Sequence, residues 1–93
     1  MRNLLPLGSV VSVYGYDKRL MIYGRLQVNL SNGKRYDYIA CDYPLGVEDT
    51  MNGILFDNEA IEKLYYVGFQ DVEELNYRQA IEAYLEKKDS EQE

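Results

Sequence analysis

The sequence predicts one α+β domain: a curled, SH3-like antiparallel sheet of four to five strands, with one short and one longer C-terminal helix. Three observations support this fold class. The first half of the 93 residues alternates apolar and polar side chains, an Asn-Gly pair follows the longest alternating run, and the last quarter changes to a helical period. We expect residues 1–88 to form the domain and residues 89–93 to be a polar tail.

Three strands are predicted in the first half, namely Val10–Tyr14, Arg19–Val28 and Arg35–Tyr43. The pair Asn32–Gly33 is typical of a type I′ hairpin turn between the second and third strands. Gly24 indicates a bulge or bend in the second strand. Regular alternation would divide that strand into an apolar face (Leu20, Ile22, Gly24, Leu26, Val28) and a mixed face (Met21, Tyr23, Arg25, Gln27).

The second half predicts two more strands and two helices. Gly53–Phe56 is expected to be a short strand, and Tyr65–Phe69 a fifth. Between them, Asp57 or Asn58 would cap a short helix that carries Ala60, Ile61 and Leu64. Asp71 would cap the longer helix, with Glu74 as its capping-box partner. The apolar stripe of that helix is predicted to consist of Val72, Leu75, Ile81, Tyr84 and Leu85.

The residues present exclude several classes of catalytic and metal site. The chain has no His, so it has no imidazole base and no His-based metal site. Cys41 is the only cysteine and lacks a nearby base, so a half-buried thiol is expected there. Asp37 and Asp42 lie five residues apart, on opposite faces of a regular strand, and would not share a substrate. We therefore expect no enzymatic activity, no catalytic residue, no cofactor and no metal.

Charge and tyrosine content favour a protein partner. Residues 1–47 carry six bases and three acids, a net charge of +3, whereas residues 48–93 carry four bases and thirteen acids, a net charge of −9. The total of −6 argues against binding to nucleic acid or to an anionic membrane. There are ten tyrosines, and tyrosine and arginine contribute strongly to interfaces. The predicted partner-binding surface consists of Tyr23, Arg25, Tyr36 and Tyr38.

Other interpretations of the tyrosines stay open at this point. Tyrosine also suits half-buried strands, and tyrosines beside basic residues could stack on bases in a small nucleic-acid-binding barrel. Homodimerisation through an open sheet edge is a further possibility. The first uncharged run, Asn3–Tyr16, contains Pro6 and Gly8 and does not match a signal peptide or a membrane span. A cytoplasmic location is therefore expected.

Five segments, taken in order, resemble a family of small bacterial proteins known as the domain of unknown function numbered 4176. These segments are Leu4–Val11, Lys18–Arg25, Tyr36–Tyr38, Cys41–Gly46 and Leu55–Ile61. The resemblance runs from about Leu4 to about Glu74. It implies a cytoplasmic protein of Gram-positive bacteria, encoded beside type VII secretion genes and their LXG-domain toxins. It also implies an accessory, adaptor or chaperone role toward a secreted effector, and it carries over no catalytic residue.

Two alternatives to an effector-binding adaptor follow from the same observations. An immunity protein would bind the catalytic end of a toxin, and the net charge of −9 in residues 48–93 would fit a basic active site. A small enzyme that acts through Asp or Tyr alone would instead need a deep pocket with a perturbed carboxylate.

Overall fold

Five antiparallel strands and one long helix make up the computed structural model, which describes residues 4–48 and 53–91. The strands form a single sheet in the order β4-β3-β2-β1-β5, so the first three strands are the predicted meander and the last strand returns beside the first. The α+β class is therefore confirmed, and the SH3-like curl stays a prediction. The elements are β1 (Val10–Val13), β2 (Leu20–Val28), β3 (Arg35–Asp42), β4 (Ile54–Phe56), β5 (Ile61–Tyr66) and α1 (Val72–Glu91). The end of α1 includes part of the segment predicted as a tail.

The predicted short helix is wrong. Asn58–Ala60 forms only one 3-10 turn, and Ile61 and Leu64 belong to β5. The fifth strand consequently begins at Ile61 and ends at Tyr66, earlier in the chain than predicted. β5 pairs with β1, with Ile61 opposite Val13 and Tyr66 opposite Val10. This pairing with a distant strand decides the conformation of a segment whose local pattern also fits a helix.

The β2–β3 connection is a hairpin, as predicted, but its turn is not of type I′. Asn29 and Lys34 close a four-residue loop, with the Asn29 N–H donating to the Lys34 carbonyl at 2.9 Å. Gly33 has a φ of +71°, but a type I′ turn also requires positive φ at the residue before it, and Leu26 is the one described non-glycine residue with positive φ. The side-chain oxygens of Asn29 and Asn32 instead accept hydrogen bonds from the backbone N–H groups two positions later in the chain. These bonds stabilise the longer loop.

A β-bulge in the middle of β2 changes which side chains face the core. Ile22 pairs with Ala40, Gly24 with Ile39 and Arg25 with Tyr38, so one residue of β2 has no counterpart on β3. A Cβ at Gly24 would lie 2.7 Å from the Ile39 side chain, which explains the glycine there. Beyond the bulge, Arg25 lies on the same face as Tyr38. The bulge itself was predicted, but the two regular faces predicted for β2 end at it.

The core lies between one face of the sheet and α1. It contains buried residues of the strands, one residue of the segment before β1 and two side chains of the helix, namely Leu4, Val11, Leu20, Ile22, Tyr38, Ala40, Phe56, Ile81 and Leu85. The Tyr38 hydroxyl accepts a hydrogen bond from the Leu5 N–H at 2.9 Å and donates one to Asn58 Oδ1. Burial of the phenol raises the pKa of Tyr38 from 10.0 to about 12.

A second polar connection joins β3 to the 3-10 turn. The Asp37 N–H donates to Asp57 Oδ1 at 3.0 Å, and the Asn58 N–H donates to Asp37 Oδ2 at 3.0 Å. Asp37 is only 2% exposed, so its carboxylate has exchanged water for hydrogen bonds within the protein. Asp37 therefore has a structural role at the point where β4 turns into β5.

The buried face of α1 differs from the predicted apolar stripe. Val72, Leu75 and Tyr84 are 45–72% exposed, whereas Ile81 and Leu85 are buried. An ion pair also joins the helix to the sheet, since Glu74 Oε1 accepts from Arg25 Nη1 of β2 at 2.5 Å. Within the helix, Glu74 Oε2 accepts from Arg78 Nη2 at 2.6 Å. Apolar periodicity does not reveal this face, because it includes the charged residues Glu74 and Arg78.

The start of α1 follows the predicted cap in part. Asp71 Oδ1 accepts a hydrogen bond from the Glu74 N–H at 2.9 Å, as expected of an N-cap. The Glu74 carboxylate, predicted to be the capping-box partner, is instead directed at Arg25 and Arg78. The exposed fractions of the Arg25 and Glu74 side chains are 4% and 11%, so this ion pair is shielded from solvent.

We predict that Glu74→Gln lowers the free energy of unfolding by about 3 kcal/mol, because the change leaves the buried guanidinium of Arg25 and the partly buried guanidinium of Arg78 without a carboxylate. Glu73→Gln is the matched control, since Glu73 is exposed and lies in the same first helical turn. It should change the stability by less than about 0.5 kcal/mol. Urea unfolding followed by circular dichroism measures both. Equal losses of stability in the two variants would contradict the ionic docking of α1.

The raised pKa of Tyr38 predicts a specific loss of stability at alkaline pH. Because the pKa is higher in the folded state than in the unfolded state, the stabilisation is complete below pH 10 and is lost as the pH rises from 10 through 12. Between these values the wild type should lose about 2 kcal/mol more stability than Tyr38→Phe, which has no phenol to ionise. Urea unfolding at a series of pH values measures the difference. Parallel curves for the two proteins would contradict the prediction.

Candidate functional site

The sheet face opposite the core carries a row of paired residues from four strands. Tyr66 of β5 pairs with Val10 of β1, Val10 with Met21 of β2, and Met21 with Cys41 of β3. Directly opposed residues lie on the same face of a sheet, and side chains alternate along each strand. The row therefore faces away from the core, because the residues next to it along β1, β2 and β3 belong to the core. Within residues 4–48 and 53–91 no helix covers this face, which we call the open face.

A groove of about 410 Å³ lies at one end of the open face. It is lined by Gly8, Val10, Arg19, Met21, Tyr43, Tyr65 and Tyr66. The three tyrosines are 43–61% exposed, whereas Val10 is buried. The groove thus has an apolar floor and aromatic walls with hydroxyl groups in contact with water, a composition typical of protein-binding surfaces.

Arg19 is the charged residue of this groove. Its guanidinium carbon lies 5.2 Å from the centre of the Tyr43 ring and 5.8 Å from the centre of the Tyr65 ring. The Tyr43 N–H donates to the Arg19 carbonyl at 2.8 Å, which fixes the two residues side by side. The side chain of Arg19 is therefore held by cation–π contacts with one tyrosine that follows β3 and one that lies in β5.

The carboxylates and the thiol of β3 have structural partners. Asp42 accepts a hydrogen bond from the Tyr16 hydroxyl at 2.6 Å and lies 3.7 Å from the Lys18 ammonium. The hydrogen bond to Asp42 is the main reason why the pKa of Tyr16 is raised. Burial raises the pKa of the Cys41 thiol, which favours its protonated form.

A smaller cleft of about 210 Å³ lies farther along the sheet. Its lining includes Tyr23, Cys41, Asp42 and Glu48. In the part of the chain that the structure describes, no group of three or more His, Cys, Asp or Glu side chains could hold a metal ion. Similarly, no helix within the described ranges has the length and apolar character needed to cross a membrane.

The four residues predicted to bind a partner do not form one surface. Arg25 and Tyr38 are neighbours, but both are buried beneath α1. Tyr23 lies at the bulge. The Lys34 ammonium lies over the ring of Tyr36, 4.7 Å from the ring centre. Only Tyr23 and Tyr36 keep exposed side-chain area, and a binding role for either stays a prediction. The bulge causes this arrangement, because it turns Arg25 away from the open face.

Sequence reasoning missed Arg19, Tyr65 and Tyr66 as site residues and placed Tyr43 only at the end of the third predicted strand. A signal for part of this site was present. Once the β2–β3 hairpin is recognised, antiparallel pairing places the residue before β2 next to the residue after β3. The contribution of β5 could not be found in this way, because β5 pairs with β1 from a distant part of the sequence.

Comparison with known proteins identifies the family of the chain. Residues 4–77 match a family described as "Domain of unknown function (DUF4176)". Neither the curated proteins nor the solved structures include a match to the chain. The matched segment contains all five strands and the start of α1, including Arg19, Arg25 and Glu74. Because the match covers most of the 93 residues, the chain belongs to the DUF4176 family.

Proposed function

We propose that this protein is a non-enzymatic accessory protein, of adaptor or chaperone type, that binds a partner polypeptide through the groove on its open face. One observation carries the proposal. Arg19 is held against Tyr43 and Tyr65 above an apolar floor, on the side of the sheet that α1 leaves uncovered. Aromatic residues and arginine in such a setting contribute most of the binding energy at protein interfaces.

The exposure of the groove favours a polypeptide over a small metabolite. Small-molecule sites usually enclose most of their ligand and combine apolar walls with several converging polar groups. Here the walls are half exposed and Arg19 is the one charged residue of the lining. Such an open surface buries enough area for tight binding only when the ligand extends beyond it.

The family resemblance supports a specific partner for this surface. We propose that the partner is the helical export region of a type VII secretion effector and that binding takes place in the cytoplasm. An immunity protein is the second candidate, favoured by the net charge of −9 in residues 48–93, which would complement a basic toxin active site. Truncated effectors distinguish the two, because an accessory protein binds the export region and an immunity protein binds the toxin end.

We predict that Tyr65→Ser combined with Tyr66→Ser weakens binding to the effector encoded beside this gene by at least about 30-fold, the loss expected when hot-spot residues are removed. The matched control combines Tyr14→Ser with Tyr84→Ser, because these tyrosines are 67% and 51% exposed and lie outside the groove. Binding of the purified proteins is measured by isothermal titration calorimetry.

Each outcome of this measurement bears on the proposal. Loss of affinity in the groove variant alone supports binding through the open face. Equal affinity of both variants and the wild type would show that the partner binds elsewhere. If the wild type does not associate with the effector at all, the proposed role is wrong.

A further inference from the structure

We propose that the groove selects its partner by an acidic side chain, whose carboxylate pairs with Arg19 while apolar neighbours in the same segment contact the groove floor. This inference rests on the proposed function, because it specifies the chemistry of the polypeptide that the groove binds. It commits to one occupant: a segment of another protein with Asp or Glu next to apolar residues.

Arg19 differs from other cations of the chain in its ion-pair partners. Arg25 and Arg78 share the carboxylate of Glu74, and Lys18 lies 3.7 Å from Asp42. Among the residues that the structure describes, no carboxylate lies within ion-pair distance of Arg19. Its contacts are the two tyrosine rings, and rings do not use up the five N–H donors of a guanidinium.

Covering the Arg19 guanidinium with a partner costs desolvation free energy. A partner that fills the groove removes water from Arg19, and an unpaired charge shielded from water is unfavourable. A carboxylate in the partner offsets that cost with charge-assisted, bidentate hydrogen bonds. A neutral segment leaves the cost in place, and a basic segment adds repulsion. Arg19 therefore disfavours neutral and basic segments as well as favouring acidic ones.

An apolar surface lies next to Arg19 in the groove. Val10 is 9% exposed and forms the floor together with Met21, and Gly8 adds no side chain above it. The three tyrosines flank this floor. An acidic residue alone would leave the floor in contact with water, so the best ligand combines a carboxylate with apolar side chains.

The experiment is a selection of random twelve-residue peptides displayed on phage, with purified wild type, Arg19→Glu and Lys34→Glu as separate targets. Lys34→Glu is the matched control, since Lys34 is also an exposed cation near a tyrosine ring but lies outside the groove. Arg19 is exposed, so its replacement should not disturb the fold, and thermal unfolding checks this.

Wild type and Lys34→Glu should select peptides enriched in Asp or Glu beside apolar residues, and Arg19→Glu should select Lys or Arg instead. A synthetic selected peptide should lose at least about tenfold in affinity for the wild type when its acid is changed to the amide. The same change should strengthen binding to Arg19→Glu, because it removes the repulsion between the peptide carboxylate and the carboxylate introduced by the substitution.

Three results would overturn the inference. Peptides without acidic enrichment that still require Tyr65 and Tyr66 would show that the groove binds polypeptides, as proposed above, but does not select carboxylates. Failure to select any groove-dependent peptide would refute selection by Arg19. Self-association abolished by Arg19→Glu would show that a second copy of the chain occupies the groove.

Discussion

The contact between Arg25 and Glu74 determines how this small protein is organised. Arg25 points toward the core only because the bulge in β2 moves it to the face that carries Tyr38. There its guanidinium meets Glu74 at 2.5 Å and also lies 5.4 Å from the Tyr77 ring centre. These contacts hold the first half of α1 on one face of the sheet, and Ile81 and Leu85 hold the second half. The opposite face is consequently left for the groove.

The segments that carry the family resemblance mainly build this arrangement. Leu5 donates its N–H to Tyr38 and accepts a hydrogen bond from Arg25, so the N-terminal segment joins β3 and β2. Asn58 then ties Tyr38 to the 3-10 turn. A buried polar network of this kind is costly when any member loses its partner, and it therefore specifies a single packing of the elements. The proposed binding would depend on this network only indirectly, through the face that it leaves open.

Much of the sheet could be predicted from the sequence, because alternation and turn residues are local signals. The strands around Asn32–Gly33 and the bulge at Gly24 are examples. The predictions were wrong where contacts between distant parts of the sequence decide the local conformation. Pairing with β1 made a strand of Ile61 and Leu64, and the bulge moved Arg25 to the core. An ionic helix face has no apolar period to detect. The groove combines residues that are neighbours in the sheet but far apart in the sequence.

The accessibility of individual tyrosines reports directly which face of the sheet α1 covers. The most direct test is limited nitration or iodination of the purified chain, followed by mass spectrometry of each tyrosine. The structure predicts rapid modification of Tyr43, Tyr65 and Tyr66 and protection of Tyr38, which is fully buried. Protection of the three groove tyrosines together with rapid modification of Tyr38 would show that the helix lies on the other face, and the account would be wrong.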